Sequence, residues 1–226
     1  MILSSNEQER RKALSELFTY VKHDIKATLE VMDGLPVTIR LLDPPLHEFV
    51  PQSLQKQKEL AKSLRIKVSD VQKRGEELHE NNPMMGHRGV RLGVTYPEVT
   101  QMQIRAILES ACELTQAGKK VSPEIMIPVV CDKAELVNQK KIVEQVYEEV
   151  TAKYKVKKIP YMFGTMIEIP RAALMAGSIA EEAEFFSFGT NDLTQMSFGF
   201  SRDDMGGFLV DYLEKNILPA DPFQTI

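Results

Sequence analysis

From residue 97 onwards, apolar strand-like segments alternate with segments of helical periodicity, and this alternation constrains the possible fold most strongly. The strand-like segments alternate poorly between apolar and polar residues, which is typical of strands buried on both faces. Strand-then-helix order predicts a parallel sheet with helices on its outer face. We predict strands at 124–130, 160–168 and 184–188, helices at 97–117, 133–153, 171–177 and 204–215, and a loop at 189–194.

The part of the chain before residue 97 extends the same architecture. Residues 6–32 have helical spacing ended by Asp33-Gly34, and a β-type run follows at 36–43. The polar stretch 52–80 predicts a protruding helical excursion, and 81–93 a glycine-rich loop around a short strand at 84–92. These five strands are fewer than the eight of a closed (β/α) barrel. We therefore predict one domain over 1–226, either an open sheet or a barrel that lacks parts.

Charge and composition exclude several classes of protein. A net charge of -4 provides no electrostatic footprint for nucleic acid. The longest apolar run, Ile125 to Cys131, is broken by Pro128 and is too short to cross a membrane. Cys112 and Cys131 lack metal-ligand spacing, so we expect two buried thiols and a reducing, cytoplasmic location.

Polar side chains stand where the predicted strands end, which is where parallel α/β proteins place their functional groups. Arginine provides a fixed fork for phosphate oxygens, whereas carboxylate and amide oxygens suit Mg²⁺. The set therefore predicts a site for an anionic, phosphate-bearing substrate and a divalent metal ion. Its members are Arg40 and Asp43, then His87, Arg88 and Arg91, then Glu168, and finally Asn191 and Asp192.

Each of these side chains also has a structural interpretation. Glu168 is the hardest to interpret so, because Met166-Ile167 and Ile169-Pro170 surround it and an unpartnered buried carboxylate is costly. Arg40 and Asp43 could form a local ion pair, and Arg88 and Arg91 could be surface charges. His87 could be a hydrogen-bonding structural histidine, and Asn191 with Asp192 could cap the N-terminus of a helix.

Four stretches of the chain resemble the signatures of the pyruvate phosphate dikinases, within the wider family of phosphoenolpyruvate-utilising enzymes. They are TIRLLDPPLHEF at 38–49, NPMMGHRG at 82–89, GTMIEIPRA at 164–172 and FFSFGTNDLTQ at 185–195. The last two stretches are shared across the wider family. LLDPPLHEF is more specific and favours the dikinases over phosphoenolpyruvate synthase and the sugar-transport phosphotransferase enzyme.

The resemblance covers nearly the whole chain and implies a (β/α)₈ TIM-barrel type fold that binds pyruvate or phosphoenolpyruvate (PEP) at its rim. It implies Mg²⁺-dependent phosphoryl transfer from a phosphohistidine on another domain to pyruvate, and the reverse. Arg40 and Arg88 are then the catalytic arginines, which clamp the phosphoryl and carboxylate groups. Glu168 and Asp192 are then the Mg²⁺ ligands and also contact the substrate. The remaining substrate-binding positions are Gly189, Thr190 and Asn191.

The chain also departs from the family pattern. The family's opening strand, with Gly-Leu-x-Arg-Thr-Glu-His, has no counterpart, and neither does the later stretch that carries a cysteine acid. We therefore expect an incomplete barrel without its first and last strands, and assign neither Cys112 nor Cys131 as the proton donor. The nucleotide-binding and phosphohistidine domains would lie elsewhere in the full-length enzyme, which we expect to be a homodimer. An organellar targeting segment elsewhere in that protein stays an open alternative. The fragment alone would be inactive.

Two alternatives stay open at the level of sequence. A metal-dependent aldolase or lyase on a similar barrel would also stabilise a pyruvate enolate, although it has less use for two phosphate-binding arginines. A non-catalytic truncated domain would instead bind a partner through exposed sheet edges.

Overall fold

A computed structural model describes residues 1–4, 6–80 and 82–225 of the chain. At its centre, four parallel strands lie side by side in sequence order and form an open half-barrel. The strands are β1 (Pro36–Arg40), β2 (Ser122–Ile127), β3 (Met162–Ile167) and β4 (Phe186–Phe188). The α-helices are α1 (Glu7–Val31), α2 (Leu54–Leu64), α3 (Val68–Glu77), α4 (Gly89–Thr95), α5 (Pro97–Gln116), α6 (Lys133–Tyr154), α7 (Pro170–Leu174), α8 (Ala176–Ile179), α9 (Thr190–Phe198) and α10 (Leu209–Glu214). Short 3₁₀ turns occur at Leu46–Phe49, Pro83–Met85 and Met205–Gly207.

The two faces of the sheet differ because successive side chains of a strand point in opposite directions. Ile125 and Ile127 of β2 and Phe163 of β3 are buried in the main hydrophobic core. On the opposite face, the parallel register pairs Arg40 of β1 with Met126 of β2. The strand ends therefore present polar groups beside a solidly packed outer layer.

The helix layer explains why the sheet is stable on its outer side. Helix α5 packs between α1 and α6, and its residues Ile104, Ile107 and Leu108 are fully buried. Each such side chain contributes about 1.5–3 kcal/mol through burial. Helix α6 begins with a capping box in which Asp132 and Glu135 accept backbone N–H bonds, so its first turn is fixed beside the end of β2.

The polar stretch at 52–80 forms two helices, α2 and α3, where the sequence predicts a single excursion. Arg65 ends α2 in a left-handed conformation with a φ of 56°. The pair has a small core of its own, made by Val50, Ala61 and Val71. This separate core keeps the excursion apart from the sheet.

The short strand predicted at 84–92 is wrong, because this segment forms a 3₁₀ turn followed by α4. The glycines of this segment allow side chains of other segments to approach the backbone closely. Gly89 has a φ of 54°, and a Cβ there would meet the side chain of Val129 at 2.7 Å. A Cβ at Gly93 would meet the amide oxygen of Gln139 at 2.6 Å. The described sheet thus has four strands, and α4 packs against α5 and α6.

The loop predicted at 189–194 is also wrong, because α9 begins at Thr190 directly after Gly189. Asn191 and Asp192 consequently lie in the first turn of a helix, where the backbone dipole favours a negative charge.

The cysteine prediction holds for one residue of the two. Cys112 is buried in α5, whereas Cys131 is only half-buried after β2, and both are free thiols. Across the described ranges, no helix combines the length and apolar character that a membrane crossing requires.

Candidate functional site

Arg88 and Asp43 form a partly buried ion pair at the carboxyl end of the half-barrel. The Nε and Nη2 atoms of Arg88 donate to the two carboxylate oxygens of Asp43 at 3.0 and 2.8 Å. Nε also lies 3.2 Å from the backbone oxygen of Asp43, so the guanidinium grips both parts of the residue. Asp43 is only 3% exposed. This bidentate geometry fixes the plane of the Arg88 guanidinium.

Arg40 lies on the solvent side of this pair. Its Nη1 atom is 3.8 Å from Asp43 Oδ2, and its side chain is 48% exposed. The local ion pair of Arg40 with Asp43 is therefore the looser of the two contacts. Arg40 thus places a partly solvated cation beside the more firmly held one of Arg88.

Glu168 follows β3 and is 1% exposed, as the surrounding apolar residues predict. Its Oε1 atom accepts the backbone N–H of Val129 at 2.6 Å. Val129 has a φ of 62°, which is a strained conformation for a β-branched residue and marks a position that the fold imposes. The Oε2 atom of Glu168 is buried and has no hydrogen-bond partner among the described residues.

Burial raises the pKa of Glu168 to about 7, and the negative charge of Asp43 and the close approach and charge of the Asp192 carboxylate add to this effect. The N–H of Val129 acts in the opposite direction and only partly offsets it. The protein thus stabilises the ionised form of Glu168 only in part. Such a group favours a cation in its vicinity.

The first turn of α9 closes the other side of Glu168. Gly189 lies so close that a Cβ there would come within 2.6 Å of Glu168 Cβ and 2.7 Å of Glu168 Oε2. Its N–H donates to the oxygen of Ile167 at 3.0 Å, which ties the turn to the end of β3. Asp192 is half-buried, whereas Thr190 and Asn191 are exposed.

Charges of both signs meet at this rim. The pKa of Arg88 lies above its ordinary value because of its hydrogen bonds to Asp43, which outweigh the opposite effect of burial. The charges of Asp43, Asp192 and Glu168 raise it further. The structure therefore brings together Arg88, Glu168 and Asp192, and Arg40 joins them through Asp43.

A cleft of about 930 Å³ opens beside Asn191 and Asp192. Arg202 lines it and donates from Nη1 to Asn191 Oδ1 at 2.8 Å, while its N–H donates to Gln195 Oε1. The sequence interpretation misses Arg202. The sequence feature that could have indicated it is Gly199. Its φ of 69° ends α9 and turns the chain back towards the first turn of that helix. A third arginine thus stands at the rim.

His87 and Arg91 do not belong to this set. The ring of His87 packs against Tyr96 at a centroid distance of 5.5 Å, and Arg91 Nη1 donates to the backbone oxygen of Gly86 at 2.7 Å. Neither structural alternative holds as predicted. The ring Nε2 of His87 is buried without a hydrogen-bond partner among the described residues, and Arg91 is half-buried and supports a turn rather than lying free on the surface.

The donor set at the rim fits a partly hydrated Mg²⁺ ion. Glu168 offers an oxygen without a partner, and Gly189 leaves open the space next to it that a Cβ would fill. Among the described residues, no group of three or more His, Cys, Asp or Glu side chains is arranged to enclose a metal ion. Two carboxylates with waters and substrate oxygens are the usual environment of Mg²⁺, which seldom occupies an all-protein cage.

The sequence profile of a known family matches residues 2–224 of the chain. That family is described as the PEP-binding domain of PEP-utilising enzymes. The match spans nearly every residue, including all four strands and the rim. The chain belongs to this family.

Several members of the family with known names are similar over the full length of the chain. Pyruvate, phosphate dikinase of Clostridium symbiosum is 55% identical over 227 residues, which cover 100% of this chain and 26% of that protein. The chloroplastic pyruvate, phosphate dikinase 1 of Oryza sativa is 52% identical, with 100% and 24% covered. The enzyme of Giardia intestinalis is 49% identical, with 100% and 26% covered. The chain thus spans about a quarter of the length of these PEP-utilising relatives.

Proposed function

We propose that the chain is the PEP- and pyruvate-binding part of a pyruvate phosphate dikinase. In the full-length protein it would accept a phosphoryl group from a phosphohistidine on another domain and transfer it to pyruvate. A third domain would bind the nucleotide, and the reverse reaction would use the same site. The identity to dikinases of three organisms supports this proposal.

One observation carries the assignment of the site: Arg88 is locked onto Asp43 while Glu168, buried and under-compensated, lies within electrostatic reach of it. An arginine held in one plane favours a planar carboxylate or a phosphoryl group as its ligand. A rim that carries both fixed positive and fixed negative charge suits an anion that arrives together with a cation.

In this proposal the residues act by position and charge. Arg88 and the more exposed Arg40 bind the carboxylate and phosphoryl oxygens and neutralise the negative charge that develops on them. Asn191 contacts the substrate from the first turn of α9, beside Gly189 and Thr190, and Arg202 orients its amide through the 2.8 Å bond. The phosphoryl group leaves the phosphohistidine nitrogen and bonds to the enolate oxygen of pyruvate.

Glu168 and Asp192 would hold Mg²⁺. When bound, the ion supplies positive charge to the oxygens of the enolate and of the phosphoryl group. We do not assign the group that exchanges the methyl proton of pyruvate, since Cys112 is buried in α5 and Cys131 lies outside the family's cysteine motif.

The test separates the two halves of the reaction in the full-length protein. Glu168→Ala is expected to abolish PEP formation while autophosphorylation by ATP, on the other domains, continues at the wild-type rate. Exchange of labelled pyruvate into PEP measures the first activity, and labelled phosphohistidine the second. Glu181→Ala, which changes an exposed glutamate outside the rim set, is the matched control. Normal PEP turnover in Glu168→Ala would remove Glu168 from the metal-binding role.

A metal ion held at the rim would not by itself favour an aldolase or lyase over this proposal. Two arginines beside one small site, with Arg202 as a third, match a substrate that carries both a carboxylate and a phosphoryl group. Turnover of a 2-keto-acid aldol substrate would support the lyase instead.

A further inference from the structure

A second polar cluster lies next to the proposed site and is not part of it. We call it the Glu80 cluster, and it consists of His47, Glu80, Gly86 and His87. One carboxylate oxygen of Glu80, Oε1, accepts the backbone N–H of His87 at 2.5 Å. The other, Oε2, lies 3.7 Å from Nδ1 of His47. Oε2 and Nδ1 are both buried and have no hydrogen-bond partner among the described residues. The carboxylate therefore stands between two segments of the chain.

These two segments carry the ion pair of the site. His47 belongs to the 3₁₀ turn that begins three residues after Asp43, and His87 directly precedes Arg88. The segments meet at the Arg88–Asp43 bonds and again at the Glu80 carboxylate. The first meeting point is made by hydrogen bonds, whereas at the second the Glu80 carboxylate is bonded to His87 and only lies close to His47. Two meeting points restrict the orientation of one segment on the other more than a single point would.

The turn at 86–88 is built around the carboxylate of Glu80. A Cβ at Gly86 would overlap that carboxylate, so glycine at this position is required for the contact. The backbone oxygen of Gly86 accepts from the N–H of Arg88 at 3.1 Å and from Nη1 of Arg91 at 2.7 Å. Glu80, whose carboxylate fills the turn, thus fixes the backbone of Arg88. From that backbone the long side chain of Arg88 reaches Asp43.

We propose that Glu80 is a positioning residue for Arg88. It holds the turn at 86–88 against the segment after β1, so that the Arg88 guanidinium meets the substrate in a fixed plane. This inference rests on the proposed function, in which Arg88 binds the anionic groups of PEP and pyruvate. Removing the carboxylate is expected to raise the KM for PEP about tenfold and to lower kcat, because small displacements of a positioning group cost one to two orders of magnitude.

The experiment uses the full-length protein with PEP as the probe. Glu80→Ala is compared with Glu80→Gln, whose amide oxygen can still accept the His87 N–H, and with Glu76→Ala, an exposed glutamate on α3. We expect the alanine variant to lose activity in the PEP half-reaction, the glutamine variant to retain most of it, and the control to match the wild type. Autophosphorylation by ATP should be equal in all three.

A double-mutant cycle with Arg88→Lys distinguishes positioning from a general structural role. Lysine keeps the charge of Arg88 but cannot make the bidentate bond that depends on the turn. If Glu80 acts through Arg88, Glu80→Ala causes little further loss in the Arg88→Lys background. An equal loss in both backgrounds would overturn the inference.

Gly86→Ala provides an independent variant, since its Cβ would displace the carboxylate without removing it. It should reproduce the loss seen in Glu80→Ala, and the two together should lose less than the product of their separate effects. Wild-type PEP kinetics in both single variants, with Arg88→Lys impaired, would overturn the role of Glu80 alone. Wild-type kinetics in Arg88→Lys would instead overturn the proposed function of Arg88.

Discussion

At the scale of single residues, Glu168 combines nearly complete burial with a hydrogen bond to only one of its two oxygens. The fold holds it there with Val129 in a left-handed conformation and with Gly189 in van der Waals range. A core residue chosen for stability alone would be apolar at this position, since a buried anion without a partner is costly. Glu168 is therefore where the chain gives up stability for a charged site.

The pKa of about 7 predicts how stability depends on pH. A raised pKa means that the folded state prefers protonated Glu168, so this contribution is complete below pH 4.5 and is lost as the pH rises through 7. In metal-free buffer, Glu168→Gln should match the wild type at pH 4 and exceed it by about 3 kcal/mol at pH 8. Urea unfolding of the chain at both pH values measures the difference, and equal stabilities at pH 8 would contradict it.

A single Cβ atom added at Gly189 is expected to affect both the stability of the chain and the turnover of PEP. In Gly189→Ala the new Cβ would press on Glu168 and on Met166 Sδ, which lies 2.9 Å away. We expect a loss of about 1–3 kcal/mol of unfolding free energy together with loss of PEP turnover. Gly177→Ala is the matched control, because nothing lies within 4 Å of a Cβ there and alanine favours the helix α8. Equal behaviour of the two variants would show that Gly189 does not limit space at the site.

At the scale of secondary-structure elements, an ion-pair cluster joins the three long helices on the outer face. Lys22 of α1 donates to Glu109 and Glu113 of α5 at 2.9 and 2.6 Å and to the hydroxyl of Tyr154 in α6 at 3.2 Å. Lys153 of α6 adds a bond to Glu109, which is almost fully buried. The cluster fixes the order of the helices, which the apolar contacts alone would specify less strictly.

Lys22→Met is expected to destabilise the chain by about 2 kcal/mol at pH 7, because it leaves the buried Glu109 with fewer partners. Burial acts to raise the pKa of Glu113, but its bonds from Lys22 and Lys26 prevail and lower it to about 2. The contribution is therefore present above pH 4.5 and lost as the pH falls towards 2. Denaturation midpoints should converge in acid, and Lys12→Met, an exposed change on α1, is the control. A constant difference from pH 7 to pH 2 would argue against the ion pairs.

At the scale of the whole molecule, the sheet is open on both sides. Within the described residues, β1 pairs only with β2, and β4 only with β3. Phe188, at the end of β4, is 64% exposed. Strand edges with apolar side chains attract further strands unless they are covered or charged. The isolated chain should therefore associate with itself or with the strands that complete the barrel.

Phe188→Lys is expected to reduce self-association of the isolated chain, because a lysine on an edge strand opposes edge-to-edge pairing. Sedimentation at increasing concentration measures the effect. The control is Leu174→Lys, an exposed apolar residue on α7 outside the sheet. If both substitutions reduce association equally, the sheet edge is not the contact.

Local sequence patterns are enough to predict most of the elements and the general place of the candidate site. The periodicity of α1, α5 and α6 and the apolar runs of β2 and β3 follow from local spacing, and the apolar neighbours of Glu168 predict its burial. Three features could not be predicted in this way and are seen only in the packed chain: α4 replaces a strand, Arg202 turns back onto Asn191, and Asp43 takes Arg88 as its partner. The last contact joins residues 45 positions apart, and the Val129–Glu168 bond spans 39. Local patterns specify the conformation of a segment, but contacts of this range depend on how several segments pack at once.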